Sequence, residues 1–393
     1  MQTITPIAGV RLRGAWSDEL HDRCRAWLDG LGLGGLTAHE SGTDAHGAWQ
    51  RFWLRAAPLD DPFDTSNLAQ RLRLRPDDSD RDLDAEILAA LLLSPLAFEF
   101  PSLDEWQSAV RLRRFIVQTG RRTVLAFDTE QAERPDCWSW TEATGFILLP
   151  GFELIPALEH TLWPDLSGRT YSFSCYRATE YVLLLALAKE LRISHPRALA
   201  ALQAQWQEKA IQSGAFHDAF LHEYGSLQAP LPMRYYVPGD RLWFRNPDEA
   251  SAGVEGYEGS WVFYLGQGHF TNFWKPDQPY TLQSKCVELY HWRDGLRFDR
   301  HAAGAVSAAA MGGGVGLDAE AMPDAKAGWI DESIVEAQAA RTLADPQATQ
   351  RVLARMMRLR DPGGVYAEGG CIDASREAVR CVRPATWSLG VAL

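Results

Sequence analysis

No stretch of this chain is apolar for long enough to cross a bilayer. The longest such run, Tyr181 to Ala188, has eight residues, against the roughly 20 that a spanning helix needs. The N-terminal residues show no basic segment followed by an apolar run, so no secretory leader is read. The expected place of synthesis is the cytoplasm, and export by a machine that needs no leader stays compatible with the sequence. Positive charge is short: 39 Lys and Arg stand against 51 Asp and Glu, a net charge of −12. That balance argues against non-specific binding to nucleic acid or to an anionic membrane, because both would repel the chain. The six cysteines (Cys24, Cys137, Cys175, Cys286, Cys371 and Cys381) contain no CxxC pair and no zinc-framework spacing. A chain of 393 residues needs no disulfides to fold. Its cysteines are therefore read as thiols, with a Cys371–Cys381 pair open only in an oxidising compartment.

Hydrophobic residues make up 46% of the chain, and fifteen are Trp, which together predict a large aromatic core. The pattern divides into an N-terminal, mainly helical module over 1–95 and a denser core over 96–300. A Gly/Ala-rich linker or loop follows over 301–316, and then a mainly helical extension over 317–393. Ser17 and Ser102 are read as N-caps of helices. The acidic segment Arg75–Asp82 is read as a solvated turn, with a helix from about Asp84 to Leu93. Cys137–Pro150 has the pattern of a hairpin. Arg241–Phe244, Ser260–Leu265, His269–Trp274 and Cys286–Trp292 are read as strands, with Gly266-Gln267-Gly268 as a tight turn.

The sharpest chemical feature is Cys175, placed at the start of a helix whose apolar run marks it as central. The unpaired N–H groups and positive dipole end of a helix N-terminus favour a thiolate over a thiol. The same groups can hold the oxyanion of a tetrahedral intermediate. Spacing alone leaves open the plainer reading of a buried, inert cysteine.

The segment Tyr171-Ser172-Phe173-Ser174-Cys175, with Ala178-Thr179 after it, resembles the nucleophile segment of the small bacterial protein-glutamine gamma-glutamyltransferases known from spore coats. Their pattern there is Tyr-x-Phe-Glu-Cys-Ala-Thr. Upstream, Phe98-Glu99-Phe100, Ser102-Leu103 and the helix through Arg111-Leu112-Arg113 resemble the family's N-terminal helix. Downstream, Gly239 to Asp248 is similar to its Gly-Asp-x-x-Tyr-Phe-x-Asn-Pro segment, and Tyr257-Glu258-Gly259-Ser260 falls on its Trp-Arg-Gly-Glu. The collinear match spans about residues 98 to 275. It implies an α+β fold with a papain-like, transglutaminase-like core, in which a central nucleophile helix packs on an antiparallel sheet. The implied reaction is acyl transfer from a protein glutamine to a lysine or other amine through a Cys175 thioester. The partners would be proteins bearing those groups, and no metal or organic cofactor is required.

Departures from the family pattern are as informative. The family's Glu before the cysteine is Ser174 here, its Trp-Arg-Gly-Glu acid is Ser260, and its later histidine falls near Phe273. Replacement partners for Cys175 are then Glu258 and His291. Glu258 would share a strand face with Ser260 two residues on, or be a solvated loop carboxylate. His291, with Asp294 three residues further, would complete a Cys-His-Asp arrangement, or be a core or edge histidine. Asn272 is a candidate to orient a base or donate to an oxyanion, and His269 ranks below His291. The alternatives to transfer are deamidation, with water resolving the thioester, and a protein that keeps the fold for binding without catalysis.

Overall fold

The computed structural model describes residues 7–14, 17–55, 63–127, 132–224, 231–232, 234–298, 328–356 and 375–379. The expected linker at 301–316, together with Cys371 and Cys381, lies outside them. The fold mixes helices and sheets, as the α+β expectation has it. The chain forms two compact units. One comprises Met1–Leu242, Trp261–Pro279 and Ser375–Leu393, and the other Trp243–Ser260 and Tyr280–Ala374. These bounds differ from those of the modules expected at 95 and 300.

The larger unit opens with strand β1 (Val10–Arg13) and helix α1 (Asp18–Gly30), whose first-turn N–H of Leu20 is accepted by Ser17. Strands β2 (Thr37–Asp44) and β3 (Gly47–Leu54) form an antiparallel hairpin. The sequence reading named no strand in this part of the chain, and the hairpin adds one to the helices read there. Gln50, Phe52 and Leu54 are buried while their neighbours are not, the period of two that only a strand can satisfy. Helix α2 (Leu68–Leu72) follows. Helix α3 (Asp80–Leu92) starts earlier than expected because Ser79 caps it by accepting from the Asp82 N–H. Strand β4 (Phe98–Phe100) completes a sheet of order β2-β3-β1-β4.

Helix α4 (Leu103–Arg122) is capped by Ser102 as expected. Next come strand β5 (Ala126–Phe127), the hairpin β6 (Trp138–Thr141) and β7 (Gly145–Leu148), and helices α5 (Leu154–Leu162) and α6 (Pro164–Ser167). Strand β8 (Ser172–Phe173) pairs in parallel with β5 and leads directly into helix α7 (Cys175–Ser194). Helix α7 packs against α4, α5 and the following α8 (Pro196–Glu208). Covered on several sides, it buries every residue from Ala178 to Ala188, as an all-round apolar helix must. Each buried leucine there contributes about 1.5–3 kcal/mol. At its far end Glu190, fully buried, accepts from Ser108 Oγ (2.7 Å) and from Arg111 (2.8 and 3.1 Å) of α4.

After α9 (Gly214–Phe220) and strand β9 (Leu221–Glu223), a turn at Pro238–Asp240 starts strand β10 (Arg241–Arg245). Asp240 binds Arg113 of α4 at 2.8 Å and accepts from the Val237 N–H, both charged groups being buried. Gly239 sits at φ +88°, and a Cβ there would lie 3.1 Å from the Arg113 backbone. The Gly-Asp pair of the sequence motif thus serves a turn clasped to α4. Strand β11 (Gly259–Gly266) lies between β10 and β12 (His269–Phe270). The division between units passes through β10 and β11.

Strand β12 is shorter than the His269–Trp274 strand expected. Asn272 turns the chain out of the sheet by accepting from the Lys275 N–H (3.1 Å) and donating to the Gln278 carbonyl (3.0 Å).

In the smaller unit, Asn246 donates to Ser251 Oγ and to the Tyr257 carbonyl, fixing the loop after β10. The strand expected at Cys286–Trp292 is a helix, Leu282–Gly295. Thr281 and Ser284 cap one another's backbone N–H, and the buried Cys286, Leu289 and Trp292 recur at helical spacing. It packs against Glu332–Ala344 and Pro346–Met356. Both helices fall within the segment 317–393. Strands Leu296–Phe298 and Gly328–Ile330 pair antiparallel. Among the described residues no helix is long and apolar enough to cross a membrane.

Candidate active site

Cys175 is the first residue of α7. Ser174, with extended backbone, caps that helix by accepting from the Arg177 N–H at 3.3 Å. The family's acid before the cysteine is therefore replaced by a group suited to the N-cap. Of the four described cysteines, Cys24, Cys137 and Cys286 are buried and Cys175 is half-buried. Burial pushes the Cys24 thiol up to about 11 and raises that of Cys137, which disfavours the thiolate at both. The backbone N–H of Trp261, in β11, points at the Cys175 Sγ at 3.5 Å. An N–H donor on the sulfur favours the anion.

The segment before the cysteine is braced from behind. Arg134 donates to the Ser172 carbonyl at 3.1 Å, and its guanidinium lies over the rings of Phe173, Phe146 and Tyr181 at 3.4, 4.6 and 4.7 Å. On the first two turns of α7, Arg177 pairs with the buried Glu180, which also accepts from the Ser213 N–H at 2.6 Å. Burial raises the Glu180 carboxyl, opposed by Arg177, by the Ser213 N–H and by Arg241. Arg241 itself is buried against the rings of Tyr176 and Trp261.

Of the remaining sequence candidates, His269 and Asn272 belong to the larger unit that holds Cys175, and Glu258 and His291 to the smaller unit. Glu258 is exposed and precedes β11 rather than sharing its face with Ser260. Its side chain accepts from the Gly256 N–H at 3.3 Å, and its carbonyl from the Asn246 N–H. His291 is buried on the helix Leu282–Gly295. Its Nδ1 meets Asp294 at 2.5 Å, the orienting contact that the spacing suggested, and its Nε2 meets Thr342 Oγ1 at 2.7 Å. Both ring nitrogens are engaged inside that unit. Asn272 spends its amide on its own loop, and His269 pairs opposite Gly266 beside the turn.

Sequence reasoning missed Arg241, Glu180 and the Trp261 amide. The amide left no signal, being a backbone group brought in by strand β11. Glu180 and Arg241 each precede a run of apolar and aromatic residues, a weak hint of burial. Among the described residues no cluster of three or more His, Cys, Asp or Glu side chains is placed to hold a metal ion.

The profile of the protein-glutamine gamma-glutamyltransferase family matches residues 64–389, most of the chain and well beyond the stretch whose motifs carried the resemblance. The chain belongs to this family. The Tyr171–Cys175 segment, the Gly239-Asp240 turn and the Asn246-Pro247 loop fall inside the match. Among solved structures, the transglutaminase from Geobacillus stearothermophilus (without C-terminal extension) is similar at 19% identity and a TM-score of 0.36. The likeness covers 48% of this chain and 85% of that one. A comparison with curated proteins finds no match.

Proposed function

We propose that the chain is a protein-glutamine gamma-glutamyltransferase with Cys175 as its nucleophile. In a chain that belongs to this family, the observation that carries the reading is a half-buried cysteine on the first turn of a buried helix, with an amide N–H at its sulfur. The Cys175 thiolate attacks the carboxamide carbon of a protein glutamine. The tetrahedral oxyanion forms beside the helix N-terminus, whose first N–H groups lack intrahelical partners and can donate to it. The C–N bond breaks, the leaving nitrogen takes up a proton, and ammonia departs to leave a thioester. A lysine amine then attacks the thioester carbon, loses a proton and expels the thiolate, forming an isopeptide bond.

The substitutions at Ser174 and Ser260 favour a second reading, a protein that keeps the fold without the reaction. Glu258 and His291 were the replacement bases expected from the sequence. Their engagement within the smaller unit gives them structural work, so the reading rests on Cys175 and not on them. The test incubates the protein with a glutamine-bearing protein and a labelled primary amine. Covalent label with ammonia release, both lost in Cys175→Ala, is the expected result. Ammonia without label would assign a deamidase. Neither product, from folded protein on several substrates, would assign a non-catalytic role.

A further inference from the structure

Arg241 is 1% exposed, and its guanidinium lies between two aromatic rings. Its Cζ lies 4.6 Å from the centroid of Tyr176 and 4.1 Å from that of Trp261. The two rings meet edge to face, 5.3 Å apart and 80° to one another. Tyr176 is the residue after Cys175, and Trp261 carries the N–H that meets the Cys175 sulfur at 3.5 Å. The cation therefore holds, by their side chains, the two residues whose backbones border the thiol on its covalent and its hydrogen-bonded sides.

We propose that Arg241 is the positioning residue of the Cys175 nucleophile, clamping Tyr176 and Trp261 so that the Trp261 N–H stays on the sulfur, and favouring the thiolate with its buried charge. A guanidinium suits this task. It is planar and can stack on aromatic faces, it stays charged at every accessible pH, and desolvation strengthens its attraction to a ring. Glu180 of α7 is close enough to feel its charge, and Arg177 pairs with Glu180. Glu180 is paired with Arg177 and receives the Ser213 N–H, so Arg177 is largely neutralised at short range. Arg241 enters from β10, on a different element, and is the cation held against Tyr176 and Trp261. The role compensates in part for the family acids missing at Ser174 and Ser260, because a thiol already biased toward its anion depends less on a base. The inference rests on the reading of Cys175 as nucleophile.

The experiment measures the pH dependence of iodoacetamide alkylation of the full-length native chain, followed at the Cys175 peptide by mass spectrometry. Amine incorporation is measured in parallel. Arg241→Met is expected to slow Cys175 alkylation about tenfold at pH 6.5, the effect of a rise of about one unit in thiol pKa. It should also lower kcat with little change in KM for the amine. Arg241→Lys, which keeps the charge, is expected to recover most of the alkylation rate. If Arg241→Met is recovered unfolded, Trp261→Leu, which keeps the backbone N–H but removes one ring, should slow the alkylation in the same direction. A folded Arg241→Met with an unchanged alkylation profile, beside an inactive Cys175→Ala, would overturn the role of Arg241 alone. Transfer activity surviving in Cys175→Ala would overturn the nucleophile reading on which it rests.

Discussion

Glu86 gives the structure a pH signature of defined sign. It lies on α3, is fully buried, and one carboxylate oxygen accepts the Gln267 N–H at 2.8 Å, holding the β11–β12 turn. The other oxygen has no hydrogen-bond partner among the described residues. Burial lifts this carboxyl from 4.5 to about 7, opposed by the Gln267 N–H and by Arg121. Between those values the folded chain keeps a proton that the unfolded chain has released, so stability falls as pH rises from 4.5 and levels off above 7. The change is about 1.4 kcal/mol per unit over roughly 2.5 units, or about 3.5 kcal/mol across the whole titration. Glu86→Gln removes the titration while its amide oxygen can still accept from Gln267. A buried NH₂ without a partner costs the variant about 1–3 kcal/mol at every pH. The difference in stability between variant and parent should therefore shift by about 3 kcal/mol in favour of the variant from pH 4.5 to pH 8. Urea unfolding of both proteins at the two pH values measures it. A difference that stays the same at both would refute the argument that Glu86 is charged, and penalised, in the folded chain at pH 8.

Three further outcomes are expected. Asp240→Asn leaves Arg113 buried beside a neutral group and should lose about 3–5 kcal/mol, read as a lowered urea midpoint at unchanged slope. Ser174→Ala removes the N-cap of α7 and should lose about 1 kcal/mol, while moving the Cys175 alkylation profile toward that of an ordinary thiol. His291→Ala should lower stability by about 1–3 kcal/mol through two lost hydrogen bonds and leave Cys175 alkylation unchanged. A drop of about a hundredfold or more in amine transfer by the folded variant would instead mark it as the base.

Much of the architecture was legible because the relevant signals are local. Ser17 and Ser102 sit just ahead of the helices they cap, and the eight-residue apolar run of α7 announced its burial. The helix at 282–295 was misread because Val287, Tyr290 and Trp292 are residue types common in strands, and because its cap is Thr281 with Ser284 rather than with an acid. The hairpin at 37–54 carried its alternation openly, but only from Gln50 onward, beyond a β2 with no buried side chain. At the site, the place of Cys175 at the start of α7 was legible from the sequence. Its surroundings were not, since Trp261 and Arg241 reach it through strands β10 and β11, whose placement depends on long-range pairing.

The Glu190 contact with Ser108 and Arg111 has a consequence for where the sulfur stands. The stretch from Tyr181 to Ala188 offers no side chain that distinguishes one axial setting of α7 from the next, because any setting buries greasy surface against greasy surface. Glu190 does distinguish them, since a slip of one turn would strand a buried carboxylate away from its guanidinium and hydroxyl. It acts as a ruler stop read about 22 Å away, fifteen residues at 1.5 Å each, at Cys175. A slip of one turn, about 5.4 Å, would carry the thiol clear of the Trp261 amide.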